Sequence, residues 1–98
     1  MTTDAVGTDG QVTGDQVKGA TAREVLEYVA KNIVDDPDAV VIDVEEGRRG
    51  DVRLSLRVSP DDMGKVIGRR GRVAQAIRAV VRAAGAREGV EVIVDIVD

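Results

Sequence analysis

The chain predicts an α+β domain in which a three-stranded sheet carries helices on one face, in the order α-β-β-α-α-β. Three observations lead there. Two long stretches place apolar residues three and four positions apart, the spacing of a buried helical face, and three shorter ones alternate apolar with polar residues, as half-buried strands do. Glycine, proline and aspartate punctuate the joins between them.

Residues 1–20 mix Thr, Gly, Asp and Gln with isolated valines and no sustained period, which predicts a disordered tail and leaves 21–98 as the folded domain. Thr21-Ala22-Arg23-Glu24 has the form of a capping box. Ala22, Val25, Leu26, Val29, Ala30 and Ile33 then share one helical face, and the helix is expected to end near Val34, before Asp35-Asp36-Pro37-Asp38. From Ala39 to Glu45 the period shortens to two, with Val40, Ile42 and Val44 inward and Asp43 and Glu45 outward. A polar, glycine-bearing turn follows. Val52, Leu54, Leu56 and Val58 form the second strand; Arg48, Arg49, Arg53 and Arg57 either extend a basic surface or, the preferred reading, pair with Asp43 and Glu45 across the hairpin.

Ser59-Pro60-Asp61-Asp62 reads as a helix start: a serine cap, proline at the first position, acids in the first turn. That helix has room for about two turns before Gly68. Gly68 to Gly71 breaks the pattern, and a longer helix follows with Val73, Ile77, Val80, Val81 and Ala84 expected inward and Gly85 as its C-cap. The last strand spans Val90 to Val97. Its Ile93 and Val97 fall on the otherwise polar face, either as simply exposed groups or as a self-association surface. Two layers then suffice to bury the apolar stripes.

Composition narrows the function. The chain has 98 residues, 43% of them apolar, which allows one small domain. Its single aromatic, Tyr28, argues against holding bases by aromatic stacking. Without cysteine or histidine there is no thiolate chemistry and neither the commonest general base nor the commonest metal ligand. No metal, cofactor, small-molecule substrate or enzymatic activity is expected. With no apolar leader and no run of about 20 apolar residues, a cytoplasmic protein without a membrane partner is expected.

Charge is more informative than its net value of −4. Met63 to Arg87 contains 7 bases and no acid, Met1 to Asp62 contains 14 acids and 7 bases, and Glu88 to Asp98 contains 4 acids and no base. A single-sign block inside an acidic chain concentrates a local field. At its head stands Met63-Gly64-Lys65-Val66-Ile67-Gly68-Arg69-Arg70-Gly71-Arg72. Glycine lets a backbone approach a ligand, arginine presents a donor fork suited to phosphate, and the start of the following helix leaves amides unpaired at the positive end of its dipole.

Val66-Ile67-Gly68-Arg69-Arg70-Gly71-Arg72-Val73, set between two helices, resembles the KH domain of RNA-binding proteins, whose Gly-x-x-Gly loop clamps about four nucleotides. The extra helix and strand before that core are similar to the type II arrangement. Asp36-Pro37, the run from Pro60 to Gly68, and Ala76-Ile77-Arg78 add a likeness to the KhpA family across 21–98. The long polar tail departs from that likeness. The resemblance implies a bacterial post-transcriptional regulator or RNA chaperone, linked to cell elongation and envelope control. It also implies a homodimer, or a heterodimer with a KhpB (Jag-like) protein.

Carried onto this sequence, Gly68 and Gly71 admit the backbone of single-stranded RNA, Arg69 and Arg70 contact phosphates, and Lys65 and Arg72 add charge. Ile67 lines an aliphatic groove for bases, and Val66 reads either as groove or as core. Arg78 and Arg82 are further RNA contacts or simply a solvated helix face. The alternative function is a protein adaptor with a KH fold, acting through a KH-containing partner. A duplex-DNA reader fits the three strands poorly, and no phosphate-loop lysine motif is present.

Overall fold

The computed structural model describes residues 19–97, so the predicted tail lies, up to residue 18, outside the described residues. The order of elements is the expected one. Helix α1 spans Ala20–Ile33, strand β1 Val41–Glu46, strand β2 Val52–Arg57, helix α2 Met63–Ile67, helix α3 Arg72–Arg87 and strand β3 Val92–Ile96, with short 3-10 turns at Pro37–Ala39, Pro60–Asp62 and Arg69–Gly71.

The sheet order is β1-β2-β3. β1 and β2 form an antiparallel hairpin that sets Ile42 opposite Leu56 and Val44 opposite Leu54. β3 runs parallel to β2, with Val92 beside Val52 and Val94 beside Leu54. Because side chains alternate along a strand, Val52, Leu54, Leu56, Val92 and Val94 all turn to the helix layer, where they are buried with Ala22, Leu26 and Ala30 of α1, Val66 of α2 and Ile77 and Val81 of α3. The core is aliphatic throughout.

Four local expectations are corrected. Thr21 is not a cap: Gly19 occupies the N-cap position with a left-handed backbone, and the Thr21 hydroxyl donates to Glu88 at 2.6 Å, 67 residues along the chain. Gly85 is not the end of α3. It lies buried in the last turn, where a Cβ would stand 2.4 Å from Val92 Cγ2 and 2.9 Å from the Val90 carbonyl, while Gly89, at φ 73°, takes the left-handed turn after the helix. Val80 faces outward and is 50% exposed. Arg53 reaches across to Asp95 of β3 at 2.7 Å rather than to Asp43 or Glu45.

The expectation that every apolar stripe is buried also fails at β1. Val44 turns toward the helix side but remains 42% exposed, whereas Leu54 beside it is fully buried. The helix layer covers β2 and β3 and stops short of β1.

Candidate nucleic-acid interface

The segment from Asp62 to Arg72 is pinned at its start, its middle and its end. At the start, the carboxylate of Asp62, only 2% exposed, accepts the backbone N–H groups of Asp35 at 3.2 Å and Asp36 at 3.1 Å and lies 3.4 Å from Lys65 Nζ. It ties the turn after α1 to the N-cap position of α2, which Asp62 itself occupies. Burial by itself would push this carboxyl up, but the two amides and the Lys65 ammonium outweigh it and hold it below the ordinary aspartate value. In the middle, Val66 is fully buried and therefore belongs to the core, not to a groove.

At the end stands the loop. Gly68 has φ 75° and ψ 172°, a region essentially reserved for glycine, and a Cβ there would lie 2.3 Å from Val73 Cγ2 and 2.9 Å from the Val73 amide nitrogen. Backbone shape and close packing both demand glycine. Gly71 is left-handed at φ 73° with open space around it, so there the demand is conformational alone. Between them Arg70 also adopts a left-handed conformation, φ 59° and ψ 25°, and is the non-glycine residue with positive φ among the described residues.

These dihedrals wrap the chain tightly. The Gly71 N–H donates to the Gly68 carbonyl at 3.1 Å and the Arg72 N–H to that of Arg69, whereas among the described residues no backbone carbonyl accepts the N–H of Arg69 or Arg70. The side chains of Arg69, Arg70 and Arg72 are exposed, and none forms an ion pair with a described residue. Amides and guanidinium groups without a partner among the described residues thus share one corner with the first turn of the 16-residue helix α3.

Lys65 differs from its neighbours. Its ammonium pairs with Asp35 and lies near Asp62; chiefly through the Asp35 hydrogen bond, its pKa is raised above the ordinary lysine value despite partial burial. Its charge is therefore already matched within the fold. Ile67, 36% exposed, ends α2 just before the loop and presents an aliphatic surface there.

From the loop, α3 runs alongside β3 and a shallow groove of about 350 Å³ opens between them, lined by Arg78, Arg82 and the strand from Glu91 to Asp95. Arg78 Nε donates to the Val94 carbonyl at 3.2 Å. That carbonyl faces out of the sheet. In the parallel ladder the odd-numbered residues of β3 bond to β2, as the Val52 N–H to Glu91 carbonyl bond at 2.9 Å shows, so the even-numbered ones present theirs to the free edge. The groove thus has a cationic helical wall and a polar backbone wall. Tyr28 is exposed on α1 and does not line it.

The family model described as "KhpA/KhpB, KH domain" matches residues 23–96. The chain belongs to the KhpA/KhpB family of KH domains. Among curated relatives, the RNA-binding protein KhpA of Streptomyces coelicolor is 56% identical over 75 residues, covering 76% of this chain and 90% of that protein. Those of Caldanaerobacter subterraneus and Clostridium acetobutylicum are 47% and 45% identical, with 76% of this chain and 97% and 99% of theirs covered. Among solved structures, Aquifex aeolicus Era shares the fold, with a TM-score of 0.52 and 16% identity over 78% of this chain and 30% of that one. The KH assignment rests on the family match, and the α-β-β-α-α-β order agrees with it.

Sequence reasoning did not single out Asp62, the buried acid that holds the start of α2. No local pattern marks it, because its partners are backbone amides 26 and 27 residues away.

Proposed function

We propose that this protein binds single-stranded RNA, seating the phosphate backbone on the loop from Gly68 to Gly71 and resting bases along the adjoining groove. The observation that carries the reading is the loop itself: Gly68, in a backbone region reserved for glycine, and left-handed Gly71 flank, at a helix start, two arginines whose amides and side chains find no partner among the described residues. In this reading Gly68 and Gly71 let a phosphate approach the main chain. Arg69 and Arg70 donate to its oxygens, Arg72 adds a flanking charge, and the α3 dipole favours the anion. Ile67 offers apolar contact to the first base, and Arg78, braced on Val94, faces the next ones. Lys65 contributes only by exchanging Asp35 for a phosphate. Binding needs no bond to be made or broken, and the protein acts as a carrier or remodeller of RNA, in keeping with a post-transcriptional regulator in the cytoplasm.

Three or four neutralised phosphates give a log–log salt slope of roughly −2 to −3. Without aromatic stacking, affinity is of micromolar class, and association of two domains strengthens it. Self-association, or pairing with a KhpB-like protein, is the second part of the proposal. Val80, half exposed between exposed Ala76 and Ala83 on α3, supports it as an apolar stripe on an otherwise charged helix.

Titration of a labelled single-stranded RNA tests the loop. Reversing both charges, Arg69→Asp with Arg70→Asp, is expected to lower affinity about 100-fold and to flatten the salt slope by about 1.4. Unchanged binding would overturn the assignment. For the second part, Val80→Glu is expected to shift the sedimentation coefficient toward the monomer at fixed concentration.

A further inference from the structure

The two edges of the sheet differ in chemistry. Along β3 the outward Val94 carbonyl is occupied by Arg78, and two arginines line the rim. Along β1 the edge is bare. The Gly47 N–H donates to the Asp51 carbonyl at 2.8 Å, which fixes the antiparallel ladder so that Glu45, Asp43 and Val41 bond to β2 while Ile42, Val44 and Glu46 turn their N–H and C=O groups outward. Among the described residues nothing pairs with that side. Proline, lysine, a bulge and a covering element are the usual guards of an exposed edge. None of these is found between Val41 and Glu46, whose one safeguard is the negative charge of Asp43, Glu45 and Glu46, which repels an acidic strand and attracts a basic one.

The side chains of β1 specify what fits beside it. On the helix side Ile42 is half-buried and Val44 is 42% exposed, so the core ends in an unfinished apolar margin. On the opposite face Asp43 and Glu45 are exposed and, because Arg53 is engaged by Asp95, neither has an ion-pair partner among the described residues. A strand laid alongside would place apolar residues against Ile42 and Val44 and every alternate residue against Asp43 and Glu45. Opposite charges in such cross-strand positions stabilise and like charges destabilise. A second copy of β1 would therefore set acid against acid. The chain's own residues 1–18, with Asp4, Asp9 and Asp15 against Lys18, carry the wrong sign as well.

We propose that the outer edge of β1 docks an extended segment of a partner protein in which lysine or arginine alternates with apolar residues, adding a fourth strand to the sheet. Main-chain bonds to Ile42, Val44 and Glu46 hold the segment, Asp43 and Glu45 select its charge, and Val44 gains the cover that the helix layer does not provide. RNA, being anionic, is repelled from the same edge. This surface stands independently of the RNA reading, since it shares no residue with the loop or its groove.

The probe is a capped heptapeptide of alternating lysine and valine, titrated into the isotopically labelled full chain. Amide shifts and slowed exchange are expected at Ile42, Val44 and Glu46. A peptide of alternating lysine and proline, equal in charge but unable to form a strand, is expected to bind at least tenfold more weakly. Val44→Pro removes one outward N–H and is expected to weaken the lysine–valine peptide at least tenfold while RNA affinity stays unchanged. Should that variant fail to fold, Asp43→Lys with Glu45→Lys serves instead and is expected to switch preference to a glutamate–valine peptide. The proposal is overturned if both lysine peptides bind equally, if the shifts gather elsewhere, or if the double reversal leaves the preference unchanged. Protection of the edge in the free chain also overturns it, since concentration-dependent protection identifies a second copy and concentration-independent protection the chain's own tail.

Discussion

The tetrapeptide Gly-Arg-Arg-Gly occurs twice in this chain, at Gly47–Gly50 and at Gly68–Gly71, and the two copies are put to different uses. The first closes the hairpin between β1 and β2. Its Gly47 N–H donates to Asp51 and its Gly50 N–H to Gly47, and Arg48 shares a shallow pocket with Glu45, Glu46 and Asp51. The second follows one helix and starts another; its glycine amides are bonded too, Gly68 donating to Gly64 and Gly71 to Gly68, but Gly68, Arg70 and Gly71 all take positive φ, against Gly50 alone in the first copy, and no acid lies from Met63 to Arg87. On the proposed reading, identical composition thus yields one ordinary turn and one anion site. The teaching is that a phosphate clamp is a property of where the backbone is going, with the arginines secondary.

The strongest way to break this comparison is to reverse charges in each copy separately. Arg48→Asp with Arg49→Asp is expected to change RNA affinity less than about threefold at 0.15 M salt, against the hundredfold loss expected at Arg69 and Arg70. Equal losses would mean that net charge, not loop geometry, governs binding. Glycine substitution is the next test. Gly68→Ala forces a side chain into a glycine-only conformation and against the Val73 backbone, and is expected to cost about 2–5 kcal/mol in urea unfolding. Gly47→Ala, at ordinary φ and facing only the movable end of Asp51, is expected to cost less than about 1 kcal/mol.

The smallest effect concerns the anchor that only the second copy has. Asp62 has a depressed folded-state pKa, so the stability it contributes is complete above the ordinary aspartate value of 3.8 and is lost as pH falls through the lower folded value. Asp62→Asn is therefore expected to lower the melting temperature by several degrees at neutral pH, with the gap to the parent narrowing below about pH 4. A constant gap would show that the carboxylate's charge is not what the two amides require.

Much of this was legible in the sequence because it is local. Periodicity located each helix and strand to within a few residues, and the interruption at Gly68 to Gly71 placed the loop between two helices. What was not legible depends on partners distant along the chain. Thr21 turned to Glu88, Lys65 to Asp35 and Arg53 to Asp95, each a choice made by register and layer packing rather than by neighbours. Alternation likewise shows that Val44 shares a face with Ile42. It cannot show whether a second layer extends far enough to cover that face. Val80 was misplaced for a related reason: it lies at the margin of a helical stripe whose width is set by what packs there.

Arg70 carries a warning for anyone who would engineer this domain for robustness. A left-handed backbone suits glycine or asparagine better than arginine, so the usual rule for thermostabilising a loop nominates position 70 for replacement. On the proposed reading, that substitution would yield a better-behaved protein that holds RNA less well. Selection on folding yield alone would discard the same side chain. Screens of this scaffold therefore need a binding readout beside every stability readout, because at this position the two objectives point in opposite directions.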